Sequence, residues 1–221
     1  MEKRKIIFGA YDTALAGGWT LTEWALAQPA LKESYVTVPG HDGDLDLSTV
    51  LTDGEPRYGN RALTATFESS EGTRAERETV ISEMMNELDG LRLNIVLPDD
   101  PQHYVTGRVR VARLYNDPAH ASVQVTANCE PWRHNAVETV VGLPATGEWQ
   151  LVTLYNMGRR SVVPTITVPE GGTLTLEYGT GSLSLSAGTH TWPALYLTKG
   201  THALRYMGTG TSVLTYREAV L

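Results

Sequence analysis

The chain has 221 residues, 41% apolar and 19% charged, an ordinary globular composition that excludes a disordered or low-complexity protein. A formal charge of −7 argues against nucleic-acid binding, whose affinity rests on cations neutralising phosphate, and against attachment to an anionic membrane surface. Cys129 is the one cysteine, so no intrachain disulfide forms and nothing calls for an oxidising compartment.

From the start of the chain, Met1-Glu-Lys-Arg-Lys5 is charged, but only Ile6-Ile7-Phe8 follow before Gly9. That run is too short for a signal-peptide core, and nowhere do roughly eighteen apolar residues run together to span a bilayer. The expectation is a soluble protein made in a cytoplasm. Tyr35, Val36 and Val38 then read as a short strand ended by Pro39-Gly40, followed by an acidic loop at Asp42-Gly43-Asp44 and by Asp46-Leu47-Ser48. A second turn at Asp53-Gly54 leads into a strand alternating at Leu63, Ala65 and Phe67.

Thr73-Arg-Ala-Glu76 reads as a capping box opening a helix over about 74–89. Ile81, Met84, Met85 and Leu88 fall on one face of it, Glu76, Glu83 and Glu87 on the other, and Gly90 suits a left-handed C-terminal cap. Leu91, Leu93, Ile95 and Leu97 alternate into the next strand. Tyr104–Leu114 and Ser122–Cys129 read as two more, before a boundary at Glu130-Pro-Trp132. The connections are too short for helical crossovers, so this half is α+β with antiparallel neighbours.

Beyond residue 136 or so, Gly and Thr dominate and helical periodicity disappears. Alternating runs are expected as strands at 149–155, 162–168, 173–178, 182–186, 194–197, 202–206 and 212–216. Glycine turn signals separate them, among them Glu170-Gly-Gly172 and Gly208-Thr-Gly210. Regular short strands with such punctuation indicate a β-sandwich. The chain is therefore expected as two domains, 1–133 and 134–221.

The run Tyr35-Val-Thr-Val-Pro-Gly-His-Asp-Gly-Asp-Leu-Asp-Leu47, continuing through Leu51-Thr-Asp-Gly-Glu-Pro-Arg-Tyr58 to Asn60-Arg61 and Phe67, resembles the distal tail protein (Dit) family of long-tailed phages. Weaker matches follow in order at Asn156-Met-Gly158, Val163-Pro164-Thr-Ile166 and Tyr216-Arg-Glu-Ala-Val-Leu221. The resemblance implies a mainly β chain with one helix: an N-terminal α+β ring-forming (belt) domain, then a C-terminal galectin-like β-sandwich. It implies a structural virion protein, not an enzyme, at the distal tip of the tail. There a homo-hexameric hub ring would link the tail tube to tail-tip or baseplate and adhesion components. DNA would pass through without specific binding, and no membrane would be involved.

The residues themselves point to no catalytic, cofactor or metal site. His41-Asp42-Gly-Asp44-Leu-Asp46 offers alternate carboxylates, but an EF-hand starting at Asp42 needs Gly at its sixth position and Glu at its twelfth. The chain has Leu47 and Asp53 there, so the loop reads as a turn whose Asp42 and Asp44 cap backbone N–H groups. Six histidines (41, 103, 120, 134, 190, 202) lack ligand spacing, and most lie beside turns. Cys129 lies five residues before His134 but alternates with Val125 and Ala127 as a core residue would. No nucleophile elbow or phosphate loop occurs, and Asp99-Asp100, flanked by prolines, read as turn formers. Trp149, Tyr178, Trp192 and Tyr196 leave one alternative open, a carbohydrate-binding module contacting host cell-wall sugars. Most of these rings are expected in the core, with Trp192 beside Pro193 the most exposed.

Overall fold

The structure, a computed structural model, describes residues 4–52 and 54–221. The chain forms two compact units, Met1–Arg133 and His134–Leu221. It is mainly β with one α-helix, as the sequence indicates.

In the first unit the strands are β1 (Ile7–Phe8), β2 (Tyr11–Asp12), β3 (Thr20–Leu26), β4 (Tyr35–Thr37), β5 (Asp44–Asp46), β6 (Arg61–Ser69), β7 (Arg92–Leu97), β8 (Asp100–Asn116) and β9 (Ala121–Asn135). The main sheet runs β2-β1-β7-β8-β9-β6-β3, and β4-β5 stands apart as a separate hairpin. The helix α1 (Arg74–Leu88) packs on β8. Ile81, Met84 and Leu88 of the helix meet Leu63, Ala65 and Phe67 of β6 and Val123, Val125, Ala127 and Cys129 of β9 in one core. Each strand contributes alternate residues, because the pleat sends every second side chain to the same face.

The capping box forms as the sequence requires. Thr73 Oγ1 accepts from the Glu76 amide at 3.2 Å, and Glu76 Oε2 accepts from the Thr73 amide at 2.7 Å. The helix ends one residue earlier than expected, at Leu88, with Asp89 as the cap and Gly90 at φ +79°. Arg77 joins the buried face, where its two terminal nitrogens donate to the carbonyls of Glu71, Gly72, Asp117 and Pro118. That clamp ties the helix start to the β8–β9 turn. Leu91, expected in the alternating face of β7, is exposed, since the strand begins at Arg92.

Strands β1 to β3 have no counterpart in the sequence reading. Two of them are two residues long, and Thr13 fixes them by accepting from the Ile6 amide and donating to the Ile6 carbonyl, both at 2.9 Å.

The second unit contains β10 (Thr139–Thr146), β11 (Gln150–Asn156), β12 (Thr165–Tyr178), β13 (Gly181–Thr191) and β14 (Gly200–Tyr216). They form one five-stranded sheet in the order β10-β14-β12-β13, with β11 also on β14. Two expected turns are corrected here: Glu170-Gly-Gly172 and Gly208-Thr-Gly210 lie inside continuous strands, where the register of β12 against its neighbours shifts. Both halves of β12 and of β14 bury side chains in the same cluster, Ile166, Leu174, Leu204 and Leu214 among them, so the sheet bends back on itself. Gly208 permits the bend. A Cβ there would sit 2.0 Å from the Thr173 carbonyl oxygen, so only glycine lets the two backbones approach. The glycines mark bulges rather than strand ends.

A third correction concerns 194–197, which form no strand. Leu195 and Leu197 plug the core from a loop, held by a bridge between Leu197 and Val162, by the Leu195 amide donating to the Trp192 carbonyl and by Asn156 Nδ2 donating to the Leu197 carbonyl. Strand β10 was not anticipated.

Candidate assembly surface

The segment between β3 and β6 is built unlike the rest of the first unit. From Thr22 to Asn60 no described residue is buried. Its root is held by backbone bonds: Ala27 N–H to the Ala62 carbonyl, Lys32 N–H to Arg57 and Gly59 N–H to Ala30, each 2.8 Å, with a bridge between Leu31 and Tyr58. Beyond the root the chain makes the β4–β5 hairpin, pairing Tyr35 with Asp46, Val36 with Leu45 and Thr37 with Asp44. Thr37 Oγ1 donates to Asp44 Oδ1 at 2.7 Å, and the Ser48 amide donates to Asp46 Oδ1 at 2.8 Å. The Ser48 hydroxyl and amide hold the Asp46 carboxyl below its ordinary value. Gly40 and Gly43, at φ +82° and +76°, turn the tip.

The acidic loop is thus a hairpin end. Asp46 caps a backbone amide, the role expected for Asp42 and Asp44, while Asp44 takes a hydroxyl and Asp42 lies exposed. Among the described residues no three His, Cys, Asp or Glu side chains gather as metal ligands. Asp53, half of the expected second turn, lies outside the described residues.

Apolar side chains line this arm without a core to enter. Tyr35, Val36, Val38, Leu45, Leu47, Val50 and Leu51 are all exposed, Leu51 at 96%. Alternation in a strand normally separates a wet face from a dry one; here both faces of the hairpin are wet. A lone two-stranded hairpin is at best marginally stable in water, and contiguous exposed apolar surface marks interaction sites. The arm has the makeup of an interface element.

At the root, Arg61 begins β6 on the same side as Leu63, Ala65 and Phe67 and is 5% exposed. Its register partner is Cys129, a buried thiol that desolvation pushes up to about 11. Near it Arg133 donates to Asp100 Oδ2 at 2.9 Å, and His103 Nδ1 lies 2.6 Å from Asp100 Oδ1. Tyr58 and Trp132 meet edge to face at 5.7 Å between ring centres. Sequence reasoning passed over Arg61 as a site residue. The available signal was its phase, since an arginine two residues before Leu63 in an alternating strand must point inward.

The remaining candidates disperse. Cys129 sits in the first core, while His134 belongs to the second unit, where its Nε2 lies 3.4 Å from Arg160. In the second unit Tyr178 packs against the core and its hydroxyl meets His202 Nδ1 at 2.6 Å. Trp192, expected to be the exposed ring, packs against the core beside Gly181. Trp149 and Tyr196 are the exposed pair, and the Arg205 guanidinium lies over Trp149, 4.9 Å from the ring centre.

These features define a class: a mainly β protein of two units with one helix and an arm whose described residues are all unburied. No protein-family model matches the sequence, and no curated protein matches it significantly. Among solved structures the chain is similar to Dit (gp 19.1) of phage SPP1, described as a paradigm of the hub adsorption apparatus in phages infecting Gram-positive bacteria. The TM-score is 0.72 at 13% identity, covering 100% of each chain. The fold is therefore that of a siphophage distal tail hub protein.

Proposed function

We propose that this protein is a structural component of a long-tailed phage or prophage, located in the virion at the distal end of the tail tube. It forms a hexameric hub ring that links the tube to the tail tip or baseplate and adhesion components. Residues 1–133 build the ring, and residues 134–221 form a galectin-like domain directed toward the adhesion parts. The observation that carries this reading is the full-length fold likeness to SPP1 Dit. The arm adds physical support, because a ring requires one patch to meet a different patch on its neighbour, and the arm offers a run of exposed apolar side chains. The net charge of −7 suits a channel that DNA crosses without sticking. The reading assigns the chain no catalysis.

Light scattering after size exclusion, with negative-stain images of the largest species, tests it. The expected result is a closed ring of six subunits with an open centre. A second reading, a module for cell-wall sugars, draws on exposed Trp149 and Tyr196. It is weakened by Arg205 over the Trp149 ring and by the packing of Trp192. A monomer whose glycan binding falls in Trp149→Ala would favour that second reading.

A further inference from the structure

The first unit buries two arginines, and they are satisfied very differently. Arg77 gives its terminal nitrogens to four backbone carbonyls. Arg77 leaves only its Nε without an acceptor, whereas at Arg61 both Nε and Nη2 are enclosed and meet no acceptor among the described residues. Arg133 beside it is a like charge, and the Cys129 thiol, which keeps its proton up to about 11, supplies no counter-charge at neutral pH. The carboxylates on the neighbouring strands are engaged elsewhere, Asp100 by Arg133 and His103, and Glu130 by Arg92. An enclosed cation without an anion is strongly unfavourable, and removal of one partner from a buried pair leaves just this situation. A free chain showing it fits a protein whose anion arrives on assembly.

Arg61 stands where the arm rejoins the sheet, three residues after the Leu31–Tyr58 bridge. The far end of the same arm carries the opposite charge, exposed Asp42 and Asp44 around the Gly43 turn. We propose that Arg61 receives a carboxylate from the Asp42–Asp44 hairpin tip of a second copy of this chain, so that the tip of one arm docks at the root of the next. This rests on the homo-oligomeric reading above and adds its register. Tip and root are different patches, so the contact is head to tail, the kind that propagates around a closed ring. A desolvated guanidinium–carboxylate pair also fixes orientation better than the arm's apolar surface alone.

Sedimentation velocity on the full chain across a wide concentration range tests the pairing. The species compared are the wild type, Arg61→Met, Asp42→Asn/Asp44→Asn, and the combination. Each altered form is expected to self-associate about tenfold more weakly or worse, and the combination no worse than Arg61→Met alone, because both remove one shared contact. Monomeric Arg61→Met is expected to melt no lower than the wild type, since an apolar side chain replaces an unpaired enclosed charge. The tip substitutions lie on an exposed hairpin, so they decide the matter even where Arg61→Met fails to fold. Unchanged association in the tip variant, or losses that multiply in the combination, would overturn the pairing while leaving the ring reading intact. A wild type that stays monomeric at every concentration overturns both. If inorganic phosphate raises the melting temperature of the wild type but not of Arg61→Met, and the tip variant associates normally, the site takes a free anion and the proposal falls.

Discussion

The helix–sheet core and the arm at residues 27–60 draw on the same apolar residue types and put them to opposite use. In the core, Leu63, Phe67, Ile81 and Met84 are sealed between α1, β6 and β9. In the arm, Leu45, Leu47, Val50 and Leu51 face water. Both regions contain strand pairs with regular registers, so backbone pairing does not separate them. The presence of a second layer does: the sheet has α1 packed on it, whereas every residue of β4 and β5 is exposed. Hydrophobic burial is proportional to area removed from water, so the core stabilises this chain far more than the exposed arm does.

Truncation should make that contrast measurable, the largest effect coming from the core. Phe67→Ala removes a ring that is 2% exposed and is expected to destabilise the first unit by about 3–5 kcal/mol. Denaturant unfolding followed by tryptophan fluorescence measures it, Trp19 and Trp24 both belonging to or touching that core. A loss below about 1 kcal/mol would mean the core is not packed as described. In the second unit, Gly208→Ala forces a Cβ against the Thr173 carbonyl oxygen and is expected to cost about 3 kcal/mol. Gly142→Ala, in β10 with open space around its Cβ, is the matched control that should change little.

How far these outcomes were readable from sequence differs by element. Helix α1 was legible because its signals are local: a capping box, a 3.6-residue period and a terminal glycine all lie within eighteen residues (73–90). Strands β6 to β9 were legible because alternation is local as well. The glycines of β12 and β14 misled, because a glycine that turns and a glycine that admits a neighbouring backbone look alike. Only the approach of Thr173 distinguishes them, and that contact spans 35 residues. Trp192 misled for a similar reason, its exposure being set by packing against a distant core rather than by the adjoining Pro193. The order of the arm motif stands out in the sequence. Its lack of a dry face did not follow from Tyr35, Val36 and Val38, which read like any half-buried strand.

A pH dependence sharpens the comparison from within the core. Burial pushes the Cys129 thiol up to about 11, from an ordinary value of 9.0, so the folded chain holds this proton over a range where the unfolded chain releases it. The associated stability is fully present below pH 9 and is lost as the pH rises through 11, by an amount on the order of 2 kcal/mol. Tyr11, pushed up to about 12 by burial and by Glu83 and Glu87, adds a decline in the same direction at higher pH. Urea midpoints at pH 8, 9, 10 and 11 measure the slope, and Cys129→Ala should flatten its lower part. An unchanged slope in that variant would assign the decline to other groups. A smaller loss is expected at the helix start, where Thr73→Ala removes the acceptor for the Glu76 amide and should cost about 1 kcal/mol at neutral pH.

The smallest expected effect is the most discriminating one. Leu51 keeps 96% of its surface exposed, more than any other large apolar side chain described. Leu51→Ala removes as many carbon atoms as a core truncation of leucine would. Yet it should leave the stability of the isolated chain within about 0.5 kcal/mol of the wild type, because no area returns to water that was ever withdrawn from it. If the arm is an assembly element, the same substitution weakens self-association in sedimentation velocity while the unfolding midpoint of dilute protein stays put. Loss of stability without loss of association would place Leu51 in a contact of its own chain and remove the arm from the interface. The two readouts move together for a core residue and separate for an interface residue, so one leucine reports which region it belongs to.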